Sequence, residues 1–140
     1  MNNLWFLIHR LFQRKEREVF QRKEICIQNY SENVPIGGSY DLITLTVPVR
    51  CSIRLISFGN YSGTTAAWGT IYWDFLIDDA LIYPYSRIMD PLGYSGARQS
   101  IQGVDISGGH TLVVRAYNPT ADVCAMGISL EYELISFEEA

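Results

Sequence analysis

From Cys124 to Leu134 the chain alternates without a break. Cys124, Met126, Ile128, Leu130, Tyr132 and Leu134 are apolar or aromatic, and Ala125, Gly127, Ser129, Glu131 and Glu133 stand between them. Successive side chains of a β-strand point to opposite faces, so this pattern demands a strand with one face in a core and the other in water. A helix would spread the same residues around its whole surface.

The same period governs the chain from Ile25 onward. CIQNY is a short strand candidate, and SENVPIGGS reads as a turn or linker. In DLITLTVPVR, Ile43, Leu45, Val47 and Val49 face one way and Thr44, Thr46 and Arg50 the other, with Pro48 marking an edge or a bend. CSIRLISF follows as a strand. TIYWDFLI sets Ile71, Trp73, Phe75 and Ile77 on one face, and Asp78-Asp79 predicts a tight hairpin turn. A long irregular excursion from Tyr83 to Arg98 precedes the short strand IQGVDIS. GGHTLVVRAYNPT then supplies a strand with Leu112, Val114 and Ala116 inward, closed by an Asn-Pro turn.

Seven or eight strands with no helical pattern between them predict an all-β, antiparallel sandwich. Parallel architecture lacks its crossovers here. Long loops and the strand count favour a jelly-roll-type sandwich over 28–140. An immunoglobulin-like sandwich is the alternative, because Cys51, Trp73 and Cys124 imitate that fold's order.

The leader is different. Leu4, Trp5, Leu7, Ile8, Leu11, Phe12 and Val19 fall on one side of a helical wheel, with Arg10, Arg14 and Arg17 opposite. Residues 1–27 are therefore expected to form a basic amphipathic helix, which would be marginal alone and needs a surface to dock on. Its anchoring face is Leu4, Trp5, Ile8, Leu11 and Phe12. Its apolar run stops at His9-Arg10, short of a signal core or of the roughly 20 residues that span a membrane. No transmembrane segment and no export by signal peptide are expected.

Charge divides the chain at the same place. Residues 1–23 hold six Lys/Arg against two Glu; residues 24–140 hold five Arg, no Lys and thirteen acids. A body that acidic opposes phosphate binding, which excludes nucleic acid as a partner of the sandwich. Cys26, Cys51 and Cys124 are odd in number and lack metal-ligand spacing, so they read as free thiols from a reducing compartment.

Catalytic chemistry finds little support. His9 and His110 are the two histidines, and neither lies in a nucleophile motif. Asp74, Asp78 and Asp79 cluster at the hairpin but do not match a calcium loop, and turn chemistry explains the Asp pair. Gly37-Gly38 and Gly108-Gly109 have no following helix or Lys, so they are turn glycines rather than phosphate loops. No catalytic residue, metal or cofactor is assigned. The strongest binding signal is a set of aromatic loop residues, Tyr61, Trp68, Tyr83, Tyr85 and Tyr94, as ligand or interface candidates.

The segments LITLTVPVRCSIRLISF, WDFLIDDALIYPY and GGHTLVVRAYNPT resemble small jelly-roll accessory proteins of tailed-bacteriophage virions, the decoration, head-fibre and vertex proteins. The motifs that carry the resemblance are Val47-Pro48, Tyr83-Pro84 and Asn118-Pro119-Thr120, within roughly residues 40–135. Asp78-Asp79 departs from it, since a glycine turn is more usual there. The resemblance implies a non-enzymatic structural protein of a virus particle, assembled in the host cytoplasm. Its leader would dock into a capsid or connector protein, and its sandwich would form a symmetric homo-oligomer, often a trimer, for subunit contacts or host attachment to a surface glycan. The competing expectation is a carbohydrate-binding module gripping a glycan with Trp68, Tyr83, Tyr85 and Tyr94, its leader serving as a membrane-surface or partner helix.

Overall fold

The computed structural model describes residues 19–63, 70–89 and 98–139. They form nine strands: β1 (Val19–Val34), β2 (Gly38–Thr46), β3 (Cys51–Ser62), β4 (Tyr72–Ile77), β5 (Ala80–Leu81), β6 (Gln99–Ser100), β7 (Asp105–Ser107), β8 (Thr111–Asn118) and β9 (Cys124–Glu139). All pairings are antiparallel, and two sheets face each other as a sandwich. One sheet runs β1-β9-β3-β6 with β7 also on β3, and the other runs β2-β8-β4-β5. Partners nest along the sequence: β1 with β9, β2 with β8, β3 with β6 and β7, β4 with β5. The chain is thus one long hairpin ribbon folded over on itself, with β3·β9 and β4·β8 closing the two sheets.

The alternating strands behave as their pattern requires. Cys124, Met126, Ile128 and Leu130 are fully buried, as are Trp73, Phe75, Leu112, Val114 and Ala116 from the opposite sheet. Phe58 meets Phe75 edge-on with centroids 5.2 Å apart, joining the two layers at the centre. Asp78 and Asp79 both adopt left-handed φ, 49° and 65°, which is the two-residue hairpin turn that matches strand twist.

Four expectations need correction. Val19–Ile27, expected as the end of the helix, are strand: they pair along β9, with Cys26 opposite Tyr132. A β9 of 16 residues needs a partner along its length, and the Val, Phe and Ile content of this stretch suits a strand. The remainder of the leader, with Leu4, Trp5, Ile8, Leu11 and Phe12, lies outside the described residues. Ser31–Val34 also belong to β1 rather than to a turn, because Val34 is buried opposite Cys124. The turn itself is Pro35-Ile36-Gly37, with the Gly38 N–H donating to the Pro35 carbonyl at 3.0 Å.

Val49 is 80% exposed, because the chain leaves the sheet at Val47 and bends at Pro48. IQGVDIS is not one strand. The Ile101 N–H donates to the Ile56 carbonyl, and Gly103 at φ 73° turns the chain, so β6 and β7 flank a kink. All three cysteines are free, as the sequence led us to expect, so there is no immunoglobulin-type disulfide. Cys51 lies opposite Ser136 at one end of β9 and Cys124 begins the other. At roughly 3.4 Å per residue the two are tens of ångströms apart.

The excursion after β5 is stitched down at its start. Ile88 bridges Trp73, and the Phe75 N–H donates to the Tyr85 carbonyl, so Ile82, Tyr85 and Ile88 pack against the core.

Candidate functional site

Each strand of the β2-β8-β4 sheet turns alternate residues outward, and the register aligns them in rows across the sheet. One row is ionic. Asp41 on β2 faces Arg115 on β8, which faces Asp74 on β4. The Arg115 Nε–H donates to Asp41 Oδ1 at 2.6 Å. That carboxylate, and then the neighbouring Tyr117 hydroxyl, hold Arg115 above its ordinary range. Asp74 is 5% exposed and accepts the Arg87 N–H at 2.6 Å, fixing the backbone of Arg87 in a left-handed turn.

The next row is aromatic. Ser39 on β2 faces Tyr117 on β8, which faces Tyr72 on β4. The two tyrosine rings stack with centroids 4.7 Å apart and an interplanar angle of 17°. That separation equals the spacing of neighbouring strands, so the stack runs across the sheet. The Arg87 guanidinium lies over the Tyr72 ring at 5.9 Å. The β2 place in the row holds only a serine after two glycines. A cleft of about 280 Å³ opens there, lined by Gly37, Gly38, Ser39, Tyr72, Tyr117, Asn118 and Pro119.

Asn118 forms the floor of this corner and is fully buried. Its Nδ2 donates to the Val34 carbonyl at 3.0 Å and the Asp122 carbonyl at 2.7 Å. Its Oδ1 accepts from the Thr120 N–H at 3.1 Å and the Thr120 hydroxyl at 2.5 Å. Both donors and both lone pairs of the amide are used. The Asn-Pro-Thr turn is therefore a staple between the end of β1 and the β8–β9 connection.

The aromatic residues singled out from the sequence separate into different environments. Tyr85 packs inward, edge-on to Phe58 at 6.2 Å, and its hydroxyl accepts the Gln102 N–H at 3.0 Å. Tyr61 belongs to the other sheet, where it covers Gly127 so closely that a Cβ there would lie 2.2 Å from the ring. Tyr83 is 77% exposed beside Pro84. Trp68 and Tyr94 lie outside the described residues. Tyr72 and Tyr117 were not singled out; their only sequence signal is an outward place in TIYWDFLI and HTLVVRAYN, and register alone brings them together.

Two clusters of titratable groups tie scaffold elements together. His110 Nδ1 pairs with Asp78 Oδ2, and the Thr111 N–H donates to Asp78 Oδ1 at 2.9 Å. Those two bonds, the His110 one first, hold the Asp78 carboxyl below its usual range. Tyr30 stacks on Tyr40 with centroids 6.1 Å apart and donates to Glu32 Oε2 at 3.0 Å, closing the sandwich between β1 and β2. Hydrogen bonds to Tyr40 and then Glu32 push the Tyr30 hydroxyl up. Among the described residues no three His, Cys, Asp or Glu side chains converge on a metal position. No helix there is long and apolar enough to cross a membrane.

No protein-family model matches the chain, and no curated protein matches it. Among solved structures, Aeromonas hydrophila PliG, a periplasmic lysozyme inhibitor of g-type lysozyme, is similar over 89% of this chain and 90% of its own. The identity is 10% and the TM-score 0.29, a likeness too slight to bear on fold or function.

Proposed function

We propose that the chain is a non-enzymatic structural protein of a virus particle, an accessory, decoration or fibre protein of the tailed-phage kind, whose sandwich is a jelly roll. The nested pairing supports the jelly roll: first strand with last, second with eighth, and so inward to the β4–β5 hairpin. The basic leader, with Leu4, Trp5, Ile8, Leu11 and Phe12, anchors the protein to a capsid or connector component, and the sandwich mediates subunit contacts outside it.

One observation carries the reading. β1 is 16 residues long, continues directly from the leader, and pairs on one side with β9. Among the described residues its other edge has no strand partner. Ile25 and Ile27 stand 57% and 58% exposed along it. A long edge strand with exposed apolar side chains is a template for another chain, and monomeric proteins ordinarily blunt such edges. Here it supplies the contact between copies in a symmetric homo-oligomer.

Light scattering on the full chain and on residues 19–140 tests this. The sandwich alone should remain a discrete oligomer, while the full chain gains a tendency to associate that a particle component satisfies. Clean monomers in both cases would overturn the reading.

A further inference from the structure

The row Ser39–Tyr117–Tyr72 is a stack with one place empty. Arg87 caps Tyr72 on one side and Tyr117 covers the other, so both faces of Tyr72 are used. Tyr117 has one face on Tyr72, and its second face looks toward β2, where Ser39 is exposed and too short to cover it. The cleft of about 280 Å³ is lined on the β2 side by Gly37, Gly38 and Ser39 and across from them by Tyr117. Its volume lies just below the roughly 300–1,000 Å³ of ligand sites, room for a single ring rather than an extended chain.

We infer that this cleft is a glycan-binding subsite that takes one neutral pyranose ring, its C–H face stacked on the free face of Tyr117. An aromatic face offers a large rigid apolar contact with polar groups at its margin, which suits a ring that is apolar on one side and hydroxylated at the edge. The margin here is polar: the Ser39 hydroxyl, and in the next row the Asp41–Arg115 pair with the Tyr117 hydroxyl beside it. Hydroxyls accept from and donate to such groups. An anionic ring is disfavoured, because Arg115 is already committed to Asp41 and residues 24–140 carry thirteen acids against five Arg.

The site is distinct from Tyr83 and Tyr85 and does not rest on the virion reading, so either can fail without the other. On a virion protein it would serve host attachment.

The test is saturation-transfer NMR on the full chain with the methyl β-glycosides of glucose, galactose and mannose at millimolar concentration. Uridine serves as an aromatic-ring control. Transfer should be strongest to the protons of one sugar face. Ser39→Trp, a change at an exposed position, places an indole in the slot and should abolish it with the fold intact. Tyr117→Ala should weaken binding about tenfold, the loss of roughly 1.4 kcal/mol, and Tyr83→Ala should leave it unchanged. Absence of transfer from all three glycosides, binding that survives Ser39→Trp, or preference for uridine would each overturn the proposal.

Discussion

Replacing Asn118 by Asp changes one side-chain nitrogen to oxygen and nothing in shape. It removes both donors, to the Val34 carbonyl at 3.0 Å and the Asp122 carbonyl at 2.7 Å, and leaves the Thr120 bonds in place. Two lost hydrogen bonds cost about 1 kcal/mol each. An oxygen then faces two carbonyl oxygens at a residue with no exposed surface, adding roughly 1–3 kcal/mol. The expected loss is about 3–5 kcal/mol, a large share of the roughly 5–15 kcal/mol that holds a domain together.

With a urea slope of about 2 kcal/mol/M the unfolding midpoint should fall by about 2 M at neutral pH. The penalty should also depend on pH. Burial against carbonyls favours the protonated carboxyl, which can still donate one bond, so the folded pKa exceeds the ordinary value of about 3.9. The variant is therefore least destabilised below about pH 4 and loses stability as pH rises through its raised pKa. A midpoint shift below about 0.5 M at pH 7, or one indifferent to pH, would refute the staple.

Gly127→Ala drives a methyl to within 2.2 Å of the Tyr61 ring, which must swing off the sheet. The melting temperature should fall by an amount equivalent to roughly 1–3 kcal/mol, and Tyr61→Ala in the same chain should recover part of it. Asp78→Asn keeps the left-handed turn but removes the depressed carboxyl, whose contribution is present at neutral pH and lost as pH falls below about 4. Thermal melts from pH 6 to pH 2 should show a shallower decline in the variant than in the parent. Gly108→Ala would set a methyl 2.8 Å from the Pro48 carbonyl oxygen, where only backbone surrounds it, and should lower the urea midpoint.

The strands that could be read in advance are those with two unlike faces. β9, β4 and β8 alternate because one side meets the core and the other meets solvent, and Asp78-Asp79 marks its turn by residue type. β1 was legible only in part, as the short strand CIQNY, for the opposite reason. It is an edge strand, so Gln28, Tyr30 and Glu32, which take the core-side parity, lie at the rim of the sandwich and can be polar. Its outward Ile25 and Ile27 invert the usual signal, so the strand's full length does not show in the pattern. Pairing with β9, ninety or more residues away, decides the matter.

The same holds for the cleft. Tyr72 and Tyr117 belong to strands that were recognised, but their stacking depends on register, and the cleft beside them on the serine that β2 places opposite Tyr117. Tyr85 looked like a loop aromatic available for contact, and the bond between its backbone and Phe75 turns the ring inward instead.

In the proposed assembly the open edge of β1 joins copies of this chain. In an antiparallel edge strand alternate N–H groups bond to the neighbour and the others point outward. Amide hydrogen exchange along Gln21–Asn33, measured across a protein concentration series, reads out that contact. Every second amide of β1 should exchange fast in dilute solution and become protected as concentration rises. Exchange that is independent of concentration along the whole of β1 would contradict it.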